Sequence, residues 1–259
     1  MFHTEIEAVG NGAKGKISLL ENNPLGYFLM AILAGVYIGF GCILMGTVGG
    51  LFTAGGSYAT RLVNGIVFSV GLCMVTMAGA ELFTGNNFVM AIGGLSKAVS
   101  WSKVVKLWVV CWIGNLVGSV LIALVFTMTG IPAGSDIGSY LASTAATKMS
   151  GSVPALFSKA ILCNICVCVA IWCGTKLKSE GAKIAMNFCC VVTFVTCGFE
   201  HSVANMTFLT IGLLNPNGAE VSLIGLIYNL VIVTIGNIVG GVVCVALPYW
   251  IISGKPQTR

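Results

Sequence analysis

The sequence predicts an all-α membrane protein with six transmembrane helices, arranged as two halves of opposite orientation. Three observations carry this prediction: an apolar composition, apolar runs of membrane-spanning length, and a motif that occurs twice. Of the 259 residues, 57% are hydrophobic and 8% are charged, and the mean hydropathy is +0.98. Soluble domains carry roughly 25% charged residues. Because apolar runs of about 20 residues recur along the whole length, we expect one membrane domain.

The apolar runs define the six predicted spans. They occupy residues 25–50, 62–95, 103–128, 154–174, 184–213 and 222–252. The second and fifth are longer than a bilayer requires, since about 20 helical residues suffice. Each of these two spans contains a polar cluster, AELFTGNN at 80–87 and GFEHSVANM at 198–206. We therefore expect both spans to be interrupted.

An even number of spans places both ends of the chain on one side of the membrane. Lys and Arg concentrate in cytoplasmic loops. Ten fall on the side of the chain ends: Lys14, Lys16, Lys97, Lys103, Lys106, Lys176, Lys178, Lys183, Lys255 and Arg259. Three fall on the other side: Arg61, Lys148 and Lys159. The segment 1–24, which lacks the apolar core of a signal peptide, and the tail 253–259 are predicted to be cytoplasmic, and we expect a bacterial cytoplasmic (inner) membrane.

A motif shared by the third and sixth spans indicates an internal duplication. IGNLVG at 113–118 and IGNIVG at 235–240 agree at five of six positions, at an offset of 122 residues. The polar clusters repeat as well, at an offset of 119 residues: Glu81 matches Glu200, and Asn86 matches Asn205. Close helix packing alone would explain the glycines, but it would not explain the matched order and spacing.

Each half of the duplication contains three spans, at 25–128 and at 154–252. Because three is odd, the second half enters the membrane in the opposite orientation, as in many transporters and channels. Such an inverted repeat brings the two breaks close to the middle of the bilayer. Unpaired backbone at that depth is tolerated only beside protein or a water-filled cavity. The polar clusters are therefore expected to satisfy the broken backbone and to line a path.

Glu81 and Glu200 occupy equivalent positions ahead of the two breaks. A carboxylate in the middle of a membrane is costly and by default functional. Because both halves carry one, we expect it to support the loop, either by accepting backbone N–H bonds or by capping the half-helix that follows. Asn86 and Asn205 are expected to support the same loops. A proton-relay role for the carboxylates remains the alternative.

His201 has no counterpart in the first half, where Leu82 takes the equivalent position. A buried imidazole can stay neutral and can give or take a proton. We therefore predict that His201 lies at the centre of the path. Thr84 would face it across the axis, and Asn164 would hold its ring. The alternative, that His201 is an ordinary buried residue, stays open.

Apolar and basic side chains complete the predicted path. Six apolar residues would form constrictions on either side of a small polar chamber, although each alone is typical of an ordinary core: Phe68, Leu72, Leu82, Phe83, Phe194 and Val203. Lys148 and Lys159 lie on the side that is otherwise poor in basic residues. At a pore mouth they would attract anions; the alternative is that they are solvated loop lysines.

The eleven cysteines lie nearly all within apolar runs and are expected to be reduced core residues. Cys163, Cys166 and Cys168 spell CxxCxC, but the Ile, Leu and Val around them offer no polar support for thiolate ligands. Two histidines cannot ligate a haem pair or a metal triad. The sequence therefore predicts no metal, no cofactor and no enzymatic activity. Basic residues spread over short loops give no sign of nucleic acid binding.

Four segments resemble the formate/nitrite transporter family. They are AELFT at 80–84, LCNICVC at 162–168, GFEHSVANM at 198–206 and IGNIVGG at 235–241. FEHSxANM is the most specific of these motifs, and the resemblance extends over about residues 25–252. It implies an aquaporin-like fold, a homopentamer in membrane lipid with one pore per protomer, and passage of small monovalent weak-acid anions such as formate, nitrite or hydrosulfide. In overall likeness the chain is most similar to the hydrosulfide channel branch.

The resemblance also implies roles for single residues. The central histidine of the family falls on His201, its loop threonine on Thr84, and its histidine-supporting asparagine on Asn164. The constrictions of the family fall on Phe68, Leu72, Leu82, Phe83 and Phe194, and its recruiting lysine falls on Lys148. A proton would pass between His201 and the anion. Two alternatives stay open: a proton-coupled symporter, and a neutral-solute pore like the aquaglyceroporins, although neither break contains the proline of their Asn-Pro-Ala loops.

Overall fold

The computed structural model describes residues 1–254 and contains no strand in that range. Its helices, in chain order, are α1 (His3–Asn22), α2 (Pro24–Ala54), α3 (Thr60–Ala78), α4 (Phe83–Leu95), α5 (Trp101–Met128), α6 (Asp136–Met149), α7 (Val153–Lys176), α8 (Glu180–Thr196), α9 (Ser202–Leu214), α10 (Leu223–Gly241) and α11 (Leu247–Ser253). A π-helical turn, Val242–Ala246, joins α10 to α11. Most of the predicted tail 253–259, with Lys255 and Arg259, lies outside the described residues.

Within residues 1–254, five helical segments are long and apolar enough to cross a membrane. They are α2, α3, α5, α7 and the continuous stretch Leu223–Ser253. The fifth predicted span, 184–213, corresponds to two helices: α8 has 17 residues and α9 has 13, so neither qualifies alone. The all-helical character predicted from the sequence is confirmed, and the count of six spans stays a prediction.

The predicted polar clusters coincide with the ends of helices. Helix α3 ends at Ala78, ahead of Gly79, and α4 begins at Phe83. Helix α8 ends at Thr196, ahead of Gly198, and α9 begins at Ser202. Gly79 has φ of 77° and Gly198 has φ of 73°, a left-handed backbone that glycine adopts without steric cost. The chain therefore turns in the same way at both breaks, 119 residues apart.

Two asparagines from the repeated IGNxVG motif hold these breaks. Asn115 Nδ2 donates to the carbonyl oxygen of Glu81 at 2.9 Å, and its Oδ1 accepts from the N–H of Phe83 at 2.9 Å. Asn237 makes the same contacts in the second half, with the carbonyl of Glu200 at 3.0 Å and the N–H of Ser202 at 2.9 Å. Both amides are fully buried. They satisfy backbone groups of the two loops that have no partner within a helix.

The glycines of the same motif explain how closely the long helices pack. A Cβ added at Gly118 would collide with the carbonyl oxygen of Ile32 on α2, and one at Gly240 with that of Ile161 on α7. Helix α5 therefore packs against α2 in the first half as α10 packs against α7 in the second. The half-helices α4 and α9 lie inside this frame, with nearly every side chain buried.

Candidate functional site

The two breaks meet at one pair of side chains. His201 precedes α9 and Thr84 lies in the first turn of α4, and Nε2 of His201 lies 2.9 Å from Oγ1 of Thr84. Both residues are buried, with exposed fractions of 3% and 0%. Each half of the chain thus contributes one residue to a polar contact inside an apolar core.

The second ring nitrogen of His201 sets the direction of this hydrogen bond. The backbone N–H of Ala204 donates to Nδ1 at 3.0 Å, so the histidine caps α9. A neutral imidazole that accepts at one nitrogen carries its proton on the other. Nε2–H therefore donates to the Thr84 hydroxyl, which keeps its own hydrogen available for a third group. The pair can offer an O–H donor to an anion.

A cavity of about 380 Å³ reaches His201 from the side of Lys148. Phe194 stacks on the His201 ring, with centroids 5.9 Å apart and 15° between the planes. Phe68 meets Phe194 edge-on, with centroids 6.1 Å apart. Phe194 therefore covers one face of the imidazole, Phe68 packs against Phe194, and both line this cavity.

Two cavities lie on the opposite side of the central pair. One, of about 260 Å³, is lined by residues that include Lys16, Glu81 and Leu82. The other, of about 340 Å³, is lined by residues that include Glu180 and Lys183. Neither His201 nor Thr84 lines either of them. His201 alone of the central pair lines the cavity on the Lys148 side, and Leu82 lines the smaller cavity on the Lys16 side.

The six predicted constriction residues fall into three groups. Phe68 and Phe194 line the cavity on the Lys148 side, and Leu82 lines the smaller cavity on the Lys16 side. The remaining three are buried in the core and line none of the three cavities: Leu72, Phe83 and Val203.

Glu200, ahead of the second break, is paired with a lysine and an asparagine. Its Oε2 accepts from Lys148 Nζ at 2.9 Å and from Asn205 Nδ2 at 2.6 Å. Lys148 lies in the last turn of α6, with its side chain 15% exposed. The charge of Lys148 is therefore already balanced by the carboxylate it contacts.

Glu81 has the corresponding partners in the first half. Its carboxylate accepts from Lys16 Nζ of α1 and from Asn86 Nδ2 at 2.8 Å, and Tyr27 donates to it at 3.3 Å. The arrangement is unlike the predicted one, in which both glutamates bond the loop backbone or cap the half-helices. A carboxylate in an apolar interior needs a partner of opposite charge more than it needs a neutral N–H. The cap of α9 is His201, and α4 has no side-chain cap.

The sequence of this chain matches the model of a known protein family. The family model described as "Formate/nitrite transporter" matches residues 3–251, nearly the whole chain. The chain belongs to the formate/nitrite transporter family. With its long apolar helices, it is therefore an integral membrane protein of a transporter family, as the sequence predicts.

Curated relatives in this family are similar along most of their length. The nitrite transporter NirC of Salmonella typhimurium is 35% identical, over 99% of this chain and 94% of the relative. The formate channel FocA of Escherichia coli K12 is 32% identical, over 89% of this chain and 87% of the relative. A solved structure described as an FNT family ion channel superimposes with a TM-score of 0.91 at 35% identity, over 97% and 99% of the two chains. A pentameric formate channel with formate bound gives a TM-score of 0.74 at 29% identity, over 88% and 96%.

In this member of the formate/nitrite transporter family, Asn164 does not hold the His201 ring directly. Asn164 Nδ2 donates to Asn87 Oδ1 at 3.0 Å and to the carbonyl oxygen of Asn237 at 2.6 Å. Both ring nitrogens of His201 already have other partners. The prediction of a direct contact is wrong, because the capping N–H and Thr84 occupy the ring. Asn164 instead contacts Asn237, which holds the break ahead of His201.

Sequence reasoning missed two kinds of residue at this site. It used Asn115 and Asn237 only as markers of the duplication, although a lone polar residue at the same place in two apolar motifs was a usable signal. It also placed Lys16 in a polar segment ahead of the spans. Helix α1 carries that lysine to Glu81 as α6 carries Lys148 to Glu200, and no feature of the sequence indicated this pairing.

The cysteines contribute no ligand cluster to the described structure. Each of the eleven is a free thiol. Within residues 1–254, no group of three or more His, Cys, Asp or Glu side chains is placed to hold a metal ion.

Proposed function

We propose that this protein is a membrane channel for small monovalent weak-acid anions, with His201 and Thr84 at its narrowest polar point. The observation that carries the proposal is the 2.9 Å contact between these two residues, one from each break, at the end of a cavity on the Lys148 side. The nitrite and formate transported by named relatives belong to the same chemical class.

The proposed architecture has six spans, two of them broken. Helices α3 and α4 together would make the second span and α8 and α9 the fifth, so that each break lies within the membrane. Three spans in each half then give an inverted repeat with both ends in the cytoplasm of a bacterial cell. By similarity to the pentameric formate channel, we propose a homopentamer with one pore per protomer.

Desolvation is the main obstacle to an anion in such a pore. The idealised cost of moving an ion from water into a medium of low dielectric constant is on the order of 20 kcal/mol. Lys159 would recruit the anion on one side, where it lines the 380 Å³ cavity beside Lys148, whose own charge is balanced by Glu200. Phe68, Phe194 and Leu82 would exclude bulk water on either side of the centre.

At the centre, the Thr84 hydroxyl would donate to the anion while His201 Nε2–H donates to Thr84. A proton passing between His201 and the anion would make the permeant species neutral and lower its cost further. For such a transfer the ring must bind a second proton at Nδ1, and that displaces the Ala204 N–H bond. The transfer is therefore coupled to the cap of α9.

Hydrosulfide is the proposed substrate among the three candidates. The support is the overall likeness of the sequence to the hydrosulfide channel branch, and no single selectivity residue carries it. Formate and nitrite are the substrates suggested by the named relatives.

The decisive experiment measures flux into proteoliposomes that contain the purified protein. Hydrosulfide, formate, nitrite and glycerol are compared across a range of pH, with wild type beside His201→Ala. The proposal expects anion flux, no glycerol flux, and an altered pH dependence in the variant; the fastest anion names the substrate. If glycerol passes and His201→Ala leaves the pH dependence unchanged, the protein is a neutral-solute pore. If an imposed pH gradient drives anion uptake against the concentration gradient of the anion, the protein is a proton-coupled symporter.

A further inference from the structure

A polar cavity of about 410 Å³ lies apart from the proposed pore, between α1, the loop that joins α4 to α5, and the end of α11. Its lining includes Glu7 and Lys14 from α1 and Lys97 from the loop. No residue that lines it also lines any of the three cavities described around the central pair. Passage of an anion through the pore therefore does not explain the charges of this cavity.

The cavity lies at the level where two membrane-crossing segments end. Ser253, which lines it, is the last residue of the apolar stretch Leu223–Ser253, and Ala98, which also lines it, shortly precedes Trp101, the first residue of α5. Tryptophan is enriched where a membrane-crossing helix meets the lipid headgroups, and Trp101 and Trp250 lie at these same two ends. The cavity therefore lies at the depth of the lipid headgroups, on the side of the chain ends.

Helix α1, which forms one wall of the cavity, is held by contacts towards both of its ends. The ring of Phe2 packs edge-on against Trp172, with centroids 5.5 Å apart, and against Tyr249, with centroids 5.8 Å apart. Towards the other end of the helix, Lys16 is bonded to Glu81. Because these contacts lie outside the cavity, the wall is fixed independently of any ligand. A ligand would lose little binding free energy in ordering it.

The charged side chains that line the cavity have both signs and do not pair with one another. Glu7, Lys14 and Lys97 take part in none of the three ion pairs within residues 1–254. A ligand with only negative charge would meet the carboxylate of Glu7, and one with only positive charge would meet two ammonium groups. A ligand that carries both a phosphate and an ammonium group complements all three side chains.

The exposure of these side chains favours a ligand that belongs to the membrane. Glu7, Lys14 and Lys97 are exposed. Exposed charge pairs contribute little in water and are screened by salt, so a soluble ester would bind weakly. A lipid headgroup is confined to the membrane surface, and its effective concentration at the cavity is correspondingly high.

We propose that this cavity binds the headgroup of an aminophospholipid. The phosphate would lie between Lys14 and Lys97, and the ammonium group would meet Glu7. Such a lipid would join α1 to the ends of two membrane-crossing segments and so stabilise the docked position of that helix. The inference goes beyond the proposed channel function and does not rest on it.

The test measures lipid binding to the full-length protein in detergent micelles. Phosphatidylethanolamine, phosphatidylcholine and phosphatidylglycerol are added at equal mole fraction. Bound lipid per subunit is measured by native mass spectrometry, and the thermal midpoint is measured on the same samples. Phosphatidylethanolamine should bind best and raise the midpoint most. Phosphatidylcholine should bind less well, because its quaternary ammonium has no N–H donor, and phosphatidylglycerol should bind least, because it offers Glu7 no cation.

Variants of the lining charges should change this order in different ways. Glu7→Gln should remove the preference for phosphatidylethanolamine over phosphatidylglycerol. Lys14→Gln and Lys97→Gln should each lower the affinity for all three lipids about three- to fivefold. Two matched controls change charges that do not line the cavity, Glu5→Gln on the same helix and Lys178→Gln in an exposed loop, and both should bind lipid as wild type does.

Further outcomes would overturn the proposal. Equal affinity for the three lipids in wild type excludes a headgroup site, as does an unchanged preference in Glu7→Gln or an equal effect of Glu5→Gln. Soluble glycerophosphoethanolamine, added at the same headgroup concentration, distinguishes the source of the ligand. If it raises the midpoint as much as the lipid does, the cavity takes a soluble ester and the assignment to a lipid is wrong. All these measurements are made without transport, so they stand whether or not the protein conducts anions.

Discussion

The side-chain amide of Asn237 lies 3.0 Å from the carbonyl oxygen of Glu200, so α10 holds the backbone on which His201 is mounted. The same amide donates to the carbonyl of Ala160 at 2.8 Å, and its oxygen accepts from the N–H of Ser202. One buried side chain therefore ties three segments together: α7, the break, and the first turn of α9. The geometry of the central pair depends on this residue although Asn237 does not contact it.

Replacement of Asn237 by Leu should destabilise the protein strongly. The change leaves the carbonyl of Glu200 and the N–H of Ser202 without partners in a buried site, at about 1–3 kcal/mol for each orphaned group, whereas the carbonyl of Ala160 keeps its bond within α7. We expect the midpoint of thermal unfolding in detergent to fall by several degrees, with a similar fall for Asn115→Leu. Asn22→Ala, which removes an exposed amide bonded only to Ser18, is the control and should change little. Equal midpoints for Asn237→Leu and Asn22→Ala would contradict the clamp.

The ion pair between Lys148 and Glu200 predicts that a double variant regains stability that the single lysine variant loses. Lys148→Met leaves Glu200 charged and nearly buried without its cation, at about 3–5 kcal/mol. Adding Glu200→Gln removes that charge, so the double variant should be more stable than Lys148→Met alone. The measurement is a double-mutant cycle on the thermal midpoint.

The exposed pair Lys103–Glu21, whose side chains are 47% and 45% exposed, gives the reference cycle. Exposed pairs contribute about 0–1 kcal/mol, so its coupling should be small. If both cycles give the same coupling, Lys148 and Glu200 are not paired in the membrane as the structure has them.

The two ring nitrogens of His201 can be tested separately. Asn at this position keeps an acceptor near Nδ1 and is a good N-cap, but it cannot reach Thr84. Gln can place an N–H near the position of Nε2 but does not cap in the same way. We expect His201→Asn to retain a thermal midpoint close to that of wild type and to transport anions more slowly, whereas His201→Gln should lose stability and retain more of the flux. Flux and thermal unfolding are measured on the same preparations.

Much of the fold could be predicted from two patterns in the sequence, the length of the apolar runs and the repeated motifs. Apolar length predicts the long helices, and the repeated IGNxVG and Glu–Asn spacings predict a duplication and mark the two loops between α3 and α4 and between α8 and α9. The facing of Thr84 and His201 follows from the same symmetry, since an inverted repeat brings equivalent loops together.

Side-chain contacts between residues on helices far apart in the sequence could not be predicted in the same way. Lys16 contacts Glu81 only because α1 packs against α2 and α4 near the loop that contains Glu81. The residues around Lys16 in the sequence do not predict this packing. Asn164 was given the wrong contact for a related reason. A buried amide bonds to whichever groups three-dimensional packing leaves unpaired, and here these are Asn87 and a carbonyl of α10.

The hydroxyl donor of Thr84 can be removed with almost no change in side-chain volume. Thr84→Val replaces the hydroxyl by a methyl group, so the O–H donor is lost and His201 Nε2–H is left buried without an acceptor. The loss of a buried hydrogen-bond partner costs about 1–3 kcal/mol, and we expect anion flux to fall by about tenfold or more. Thr84→Ser keeps the hydroxyl and should retain most of the flux. Formate and nitrite fluxes are measured for both variants at equal protein density in the vesicles. If Thr84→Val transports as well as Thr84→Ser, the hydroxyl does not contact the permeating anion, and the pore centre must be assigned to His201 alone.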